Sequence, residues 1–471
     1  MAEIEQMKKT FSRRRNLTSG PIVKTLILSS LPTVFGNMLQ SFNGSINAMW
    51  IGQYLTEKGL VASANTNIVF FMVLSLVFGF GIAATVLVAQ SLGKKDEDGA
   101  RQAFGSALGF CVVLSVIIVI LGEIFLDNIF HVLATPVDVL PMAKTYAHIM
   151  LWALPASIIT IMISMGLRGG GDFVTPFYFM AFSCLIDAIL NPLLIAGLWG
   201  FPQLGIAGSG LSTVIASYSS LMLMLFYISR QKSYLSFDWE HLHYLLPRKE
   251  VLMFLLTRGI PMGAQLILMS ASALIMVALV NAEGVIASGA YSATQQLWSY
   301  LQMPAIGVGA AVSAMVAQNI GAGAWDRVNK ITYSGIALSL FVTTVFLSLL
   351  LIFNDKILSL FLGGIKTLQA NPAIAMGQHI QLWASWSFLF FGAALVFFAA
   401  MRANGYVIGP LLILFLSFFP VRLTFYYISY PYLKADAIWL SFPVSSFILM
   451  VLAYILYKSG GWRKKLKIGK H

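Results

Sequence analysis

Charged residues are scarce in this chain, where Asp, Glu, Lys and Arg make up only 10% of 471 residues. A soluble globular protein carries roughly 25%. Hydrophobic residues supply 58% of the sequence, and apolar runs of about 20 residues, each long enough to cross a bilayer, recur along its whole length. The composition excludes an ordinary water-soluble protein and predicts an all-α polytopic membrane protein.

Other absences narrow the function. The only two cysteines, Cys111 and Cys184, lie inside apolar runs, so no disulfide framework is expected. No Walker A pattern occurs, since Gly93-Lys94 lacks both the leading Gly and a following Ser or Thr, which argues against ATP-driven transport by this chain. The spans carry no paired acids, Ser/His pair or His cluster. We therefore expect neither an enzyme nor a metalloprotein, and no cofactor.

The net charge of +12 does not indicate a nucleic-acid-binding protein. Twelve of the Lys and Arg residues are concentrated near the two ends of the chain. Basic segments beside a membrane span usually bind anionic lipid headgroups, so membrane lipid is the expected partner of the tails. The first twenty residues lack the apolar core of a cleaved signal peptide, and the first span is expected to act as the insertion signal.

Apolar runs predict twelve spans: 24–51, 60–91, 102–125, 145–167, 174–199, 205–229, 252–281, 286–319, 331–353, 379–401, 406–430 and 437–457. The corresponding domains are a tail (1–20), an N-lobe (21–230), a linker (231–250), a C-lobe (251–458) and a basic tail (459–471). With both ends on one side, 24 Lys and Arg share that side and five lie opposite, so the positive-inside rule predicts cytoplasmic termini. We expect a multi-pass protein of the inner (plasma) membrane that functions as a monomer.

An internal repeat relates the two halves. Val88-Ala89-Gln90-Ser91-Leu92-Gly93 returns as Val316-Ala317-Gln318-Asn319-Ile320-Gly321, and Pro32 of the first span corresponds to Pro261 of the seventh. Six spans per copy give both copies the same orientation, which predicts two six-helix lobes related by a pseudo-two-fold axis along the membrane normal. Transporters of this kind bind substrate between the repeats and alternate access by rocking, so the repeat favours a secondary transporter.

Several short motifs carry a resemblance to a known family. They are Leu31-Pro32, Ile46-Asn47-Ala48-Met49-Trp50-Ile51-Gly52, Ala89-Gln90-Ser91-Leu92-Gly93, Gly166-Leu167-Arg168-Gly169-Gly170-Gly171-Asp172 and Asp187-Ala188-Ile189-Leu190-Asn191-Pro192. Together they resemble the prokaryotic multidrug and toxic compound extrusion (MATE) family of the wider flippase superfamily. The resemblance implies a secondary active antiporter that exports lipophilic or cationic organic compounds in exchange for H⁺ or Na⁺.

Asp187 is the one acid of the eighteen that falls deep within a predicted span. A carboxylate in the bilayer is costly, so it is a functional candidate by default. Asn191 follows one turn later on the same helix face. The alternative is a structural acid that hydrogen-bonds to a neighbouring helix.

Polar residues also line the first span. Asn37, Gln40, Asn43 and Asn47 project within about 120° of one another on a helix, and this stripe should face the protein interior or a water-filled cavity. Asn37, Gln40 and Asn43, with Gln265 of the seventh span, are therefore candidates for the substrate path. Hydrogen bonding between packed helices is the alternative. Pro32 breaks a backbone hydrogen bond in the first helix and is a candidate hinge.

The family resemblance implies a cation-coupling site at Asn47, Asp187, Asn191 and Thr213. This sequence departs from the family pattern, because many members have Asp where this chain has Asn47, and Asn then Asp where it has Asp187 then Asn191. One carboxylate in place of two weakens a metal-ion cage more than a proton site, so we favour H⁺ over Na⁺ as the coupling ion. The absence of acids inside spans seven, eight and ten predicts no second site in the C-lobe.

An alternative function is that of a flippase or exporter of a lipid-linked precursor or metabolite, although such relatives usually have cationic cavities.

Arg422 is the other charge inside a predicted span. It could position an anion or direct its side chain to a membrane face; we favour the membrane face.

Overall fold

The computed structural model of the chain describes residues 16–133, 135–231, 235, 243–362 and 372–464, with the side chains of 359–362 excepted. Parts of all five predicted domains lie outside the described residues. They are residues 1–15 of the first tail, 134 of the N-lobe, 232–234 and 236–242 of the linker, 363–371 of the C-lobe, and 465–471 of the basic tail.

Apolar segments of this length must satisfy their backbone hydrogen bonds internally in lipid, and the secondary structure in the described part of the chain is helical. The helices are α1 (Ile22–Gly93), α2 (Glu97–Val132), α3 (Leu140–Gly169), α4 (Val174–Ala196), α5 (Ile206–Gln231), α6 (Lys249–Phe254), α7 (Ile260–Asn281), α8 (Val285–Gly321), α9 (Trp325–Ile352), α10 (Asn354–Leu362), α11 (Pro372–Ala384), α12 (Ser387–Arg402), α13 (Ile408–Leu416), α14 (Arg422–Leu433) and α15 (Asp436–Lys458). A π-helical turn, Leu255–Gly259, joins α6 to α7, and another, Ser417–Val421, joins α13 to α14.

Ten helices of the described residues are long and apolar enough to cross a membrane, and the bent pair α11 and α12 supplies an eleventh span. The 72-residue α1 is two spans in one, because Thr56 (φ 61°, ψ −170°) interrupts its helical backbone. Counted in this way, the described residues provide the twelve spans that the sequence predicts. The all-α membrane fold is confirmed.

The tenth span, which the sequence predicts at 379–401, is formed by two helices in the structure. α11 and α12 meet at an angle of 43°, with Ser385 and Trp386 between them. The Ser385 hydroxyl donates to Gln381 Oε1 at 2.5 Å and accepts from the indole N–H of Trp298 at 2.9 Å. Side-chain hydrogen bonds of this kind compete with the helical backbone pattern and account for the bend.

The chain forms two compact units. The first contains Phe35–Gly263, and the second contains Leu17–Val34 together with Ala264–His471. The chain thus passes between units two residues after Pro32 and again two residues after Pro261, the equivalent prolines of the repeat. The core of the second unit includes Tyr291, Trp298 and Trp439, which are buried together.

Large apolar side chains cover much of the outer surface. Phe42, Ile124, Trp152 and Phe341 are each more than half exposed. So many exposed large apolar side chains are unfavourable in water and are expected where a protein faces lipid tails. The pattern of exposure therefore agrees with a membrane-embedded chain.

Candidate cation-coupling site

Asp187 lies in the middle of α4, within the first unit, and its exposed fraction is 4%. It lies among polar side chains from α1 and α5. The Asp187 Oδ2 atom accepts hydrogen bonds from the side-chain amides of Asn43 at 2.8 Å and Asn47 at 2.7 Å, both on α1. The Oδ1 atom accepts from the hydroxyls of Ser212 at 2.7 Å and Thr213 at 3.3 Å, both on α5. These four donors match the four acceptor sites of an ionised carboxylate.

Asn191 extends this cluster by one helical turn. Its side-chain amide donates to Asn47 Oδ1 at 2.6 Å, and the residue is fully buried. Because Asn47 accepts from Asn191 and donates to Asp187, the orientation of its amide is fixed by the network. The Oδ1 atoms of Asn191 and Asn43 are buried and have no hydrogen-bond partner in the described part of the chain. Two unpaired acceptor oxygens beside a carboxylate are suited to a small cation or a proton donor.

Gly208 brings α5 close to α4 at this point. A Cβ at Gly208 would lie 2.9 Å from Ile195 N and would overlap the Leu194 carbonyl oxygen. Ser212 lies one turn further along α5, on the same face as Gly208. Close approach of the two helix backbones therefore places the Ser212 hydroxyl within hydrogen-bonding distance of the carboxylate.

The structure brings together Asn47, Asp187, Asn191 and Thr213, the four residues that the family resemblance implies. It adds Asn43, which the sequence places on the substrate path. Asn37 is half-buried and Gln40 is exposed, and among the described contacts neither hydrogen-bonds to Asp187.

Gln265 and Pro32 belong to the second unit, not to this cluster. Gln265 is buried, accepts from Arg402 Nη1 at 3.4 Å and donates to the Val407 carbonyl at 3.5 Å. Pro32 lies inside α1, two residues before the chain leaves the second unit. These positions leave the substrate-path and hinge roles as predictions.

Ser212 is the residue that sequence reasoning missed. A weak signal was available, because Ser209, Ser212 and Thr213 are spaced three and four residues apart and share one face of α5. That spacing alone does not identify the hydroxyl nearest the carboxylate. Small hydroxyl residues recur along this helix, and only its rotation and separation from α4 select Ser212.

Arg422, the second intramembrane charge, is buried inside the second unit with an exposed fraction of 5%. The expectation that its side chain reaches a membrane face is therefore wrong. Its Nε donates to Ser445 Oγ at 2.9 Å and its Nη1 to Ser272 Oγ at 3.1 Å, which hold the guanidinium in the interior.

A cavity of about 290 Å³ also lies in the first unit, between α1, α2 and α3. Its walls are mainly apolar, with Val73, Leu121 and Leu151 among them. Hard cations bind oxygen ligands, so the polar cluster at Asp187 is the better cation site of the two.

Comparison with known proteins identifies the family to which the chain is similar. The family model described as MatE matches the chain twice, over residues 32–193 and 261–428. The two matches begin at Pro32 and Pro261, the equivalent prolines of the repeat.

Individual relatives agree with this match. The probable multidrug resistance protein YoeA of Bacillus subtilis is 33% identical over 444 residues, covering 94% of each chain. The FAD transporter of Shewanella oneidensis is 27% identical over 364 residues, which is 74% of this chain and 76% of that protein. In fold, the chain is similar to an outward-facing multidrug resistance MATE transporter of the MOP superfamily, with a TM-score of 0.87 and 16% identity over 95% of this chain and 98% of that one.

Proposed function

The chain belongs to the MatE family of multidrug and toxic compound extrusion transporters, and from this premise we propose that it is a secondary active antiporter. It exports lipophilic or cationic organic compounds from the cell in exchange for H⁺, by alternating access. It works as a monomer in the plasma membrane with both termini in the cytoplasm. The multidrug-resistance name of its Bacillus subtilis relative and the excess of Lys and Arg on one side of the membrane support this proposal.

The observation that carries the coupling role is the buried carboxylate of Asp187, with donors from two other helices on its two oxygens. Any ion that binds there changes the hydrogen bonds that join α1, α4 and α5. Each elementary charge that moves down 100 mV provides about 2.3 kcal/mol, equivalent to roughly a fiftyfold concentration gradient. One proton exchanged for a neutral compound therefore drives substantial accumulation outside, whereas one proton exchanged for a monovalent cation moves no net charge and draws on the pH gradient alone.

The geometry favours Oδ1 as the atom that accepts the proton. Ser212 and Thr213 each have a second acceptor, the Ser209 carbonyl, at 2.8 and 3.3 Å. Their hydroxyl hydrogens can turn to that carbonyl, and Ser212 Oγ then accepts a hydrogen bond from the protonated carboxyl group. The amide N–H groups of Asn43 and Asn47 cannot become acceptors by such a rotation, so Oδ2 keeps its donors.

Na⁺ is the alternative coupling ion, and one observation favours it. The unpaired oxygens of Asn43 and Asn191, with Asp187, make a set of hard oxygen ligands suited to a metal cation. A metal ion in this cluster displaces the amide donors from Oδ2, whereas a proton on Oδ1 leaves them in place. The two ions are therefore distinguishable by which substitutions they tolerate.

The test is ethidium efflux from proteoliposomes under a pH gradient or a Na⁺ gradient applied separately. Wild type should respond to one gradient, and Asp187→Asn should lose coupled efflux while keeping its fold. Asp138→Asn is the matched control, because Asp138 is exposed and forms a surface ion pair with Lys58 at 3.7 Å. Coupled efflux that persists at the wild-type rate in Asp187→Asn would remove this carboxylate from the mechanism.

A second candidate cargo is a metabolite or a lipid-linked precursor. The name of the Shewanella oneidensis relative, an FAD transporter, favours the metabolite, because that compound carries phosphates and is not an organic cation. The same proteoliposomes, loaded with FAD, decide between the cargoes. Coupled FAD efflux without ethidium efflux would support metabolite export in place of multidrug export.

A further inference from the structure

Arg422 carries a buried positive charge that the proposed coupling site does not use. It lies at the start of α14, directly after the π-helical turn Ser417–Val421, and 95% of its surface is buried, since its exposed fraction is 5%. Turns of the π type are often found at functional sites. A buried cation is costly unless a negative charge or an equivalent set of polar groups compensates it.

Neutral groups hold the guanidinium. Ser445 and Ser272 accept hydrogen bonds from Nε and Nη1, and each hydroxyl donates its own hydrogen to a carbonyl, of Phe442 at 3.0 Å and of Phe418 at 3.4 Å. The Cζ atom lies 4.3 Å from the ring centroid of Phe418 and 4.7 Å from that of Phe442. These π faces stabilise the cation, although they do not neutralise it.

No carboxylate of the second unit compensates Arg422. Its four acids, Glu283, Asp326, Asp355 and Asp436, all lie among the described residues, and none forms an ion pair with it. Glu283 accepts from the Tyr430 hydroxyl at 2.7 Å, eight residues or about 12 Å along α14 from Arg422. The other three lie at helix ends, where Asp436 contacts His379 at 2.6 Å and Asp355 contacts Gln378.

Other polar groups in this interior also lack acceptors. The hydrogen bonds of Arg422 to Ser445 and Ser272 use Nε and Nη1, and among the described residues the buried Trp439 Nε1 and Gln381 Nε2 atoms have no hydrogen-bond partner. Trp439 belongs to the ring cluster that reaches Arg422: its ring contacts Tyr291 at 5.8 Å, and Tyr291 contacts Phe442 at 6.3 Å. A low-dielectric interior that holds a cation without a counter-charge, in a unit that also contains unpaired N–H donors, favours a bound anion.

We propose that the second unit contains an anion-binding site at Arg422, which takes a monovalent anion, either a halide or the carboxylate of an organic compound. The charge of the guanidinium and its Nη2, which takes no part in the two serine hydrogen bonds, bind the anion, and the rings of Phe418 and Phe442 exclude water around it. The serine hydroxyls of Ser272 and Ser445 fix the direction of the guanidinium. This site is independent of the coupling role of Asp187.

The experiment measures the apparent unfolding temperature of purified protein as bromide or benzoate is titrated against isethionate at constant ionic strength. Wild type should show a saturable rise with at least one of the two anions, because a ligand that binds only the folded state stabilises it. Arg422→Met, which removes the charge, should lose the response by at least tenfold in anion concentration. Arg463→Met is the matched control, since Arg463 also lies over an aromatic ring, Trp462, at 5.4 Å but is exposed.

Ser445→Ala keeps the charge and covers the case in which Arg422→Met does not fold; it should retain saturable binding with altered affinity. A response to bromide identifies an inorganic anion, and a response to benzoate alone identifies an organic carboxylate. The absence of any saturable response in wild type, or equal responses in wild type and Arg422→Met, would overturn the proposal. Crystals soaked in bromide give a direct second readout, with an anomalous peak expected beside the guanidinium.

Discussion

Replacing Gly208 by alanine tests whether close packing of α4 and α5 builds the Asp187 site. The added Cβ would lie 2.9 Å from Ile195 N and closer still to the Leu194 carbonyl, whereas ordinary contacts begin near 3.4 Å. Backbone atoms cannot turn away as side chains do. We therefore expect the two helices to separate locally by about half an ångström or more.

The magnitude follows from the hydrogen bond one turn away. A separation of this size lengthens the 2.7 Å bond from Ser212 to Asp187 beyond the useful range of an O–H···O bond. Overpacking costs about 1–3 kcal/mol, and a lost hydrogen bond to a charged group costs about 1.5–3 kcal/mol. The sum is a large fraction of the stability of a typical domain, which is about 5–15 kcal/mol.

The assay combines thermal unfolding in detergent with coupled ethidium efflux. Gly208→Ala should unfold at a lower temperature than wild type and should lose most coupled efflux. Gly289→Ala is the control, because Gly289 is also a helical glycine but no described residue lies within 4 Å of its added Cβ; it should be neutral or slightly stabilising. Wild-type stability and efflux in Gly208→Ala would refute the packing argument.

Three further predictions follow. Ser212→Ala should reduce coupled efflux about tenfold or more by removing a hydrogen bond to a charged group, whereas Ser220→Ala, which removes a hydroxyl from the same helix but not from the site, should retain it; equal losses would contradict a specific role. Trp298→Phe should lower the apparent unfolding temperature by removing a buried indole donor, a cost of about 1 kcal/mol, and an unchanged temperature would contradict this. Asn319→Ala should destabilise the protein by about 1–3 kcal/mol, because the buried Leu17 carbonyl loses its donor, and limited proteolysis should then cut the N-terminal segment faster; an unchanged cleavage rate would count against that contact.

Much of the architecture is predictable because its causes are local in sequence. The bilayer fixes the length of an apolar span, so the twelve runs are visible without tertiary information. The sequence also predicts the span that α11 and α12 form, although it does not predict the bend between them. The bend depends on Trp298, which is 87 residues from Ser385 in sequence, and no local pattern reports such a contact.

The candidate site is likewise predictable from the sequence only in part. The cost of burying a carboxylate made Asp187 conspicuous, and helical spacing placed Asn191 on its face. The choice of Ser212 depends on the backbone contact that Gly208 permits, which is a property of two helices together. The prediction that Arg422 reaches a membrane face is wrong for the same reason. The sequence places a charge in a span without showing which side of the helix faces lipid.

The sequence by itself determined the membrane environment, the number of spans, the duplication and the one deeply placed acid. Each of these follows from composition, from run length or from comparison of the chain with itself. Only the tertiary structure decided which donors surround Asp187, where the tenth span bends and that Arg422 is buried. The physical reason is that helical periodicity fixes the direction of a side chain around its own axis, whereas the distance and rotation between neighbouring helices come from packing.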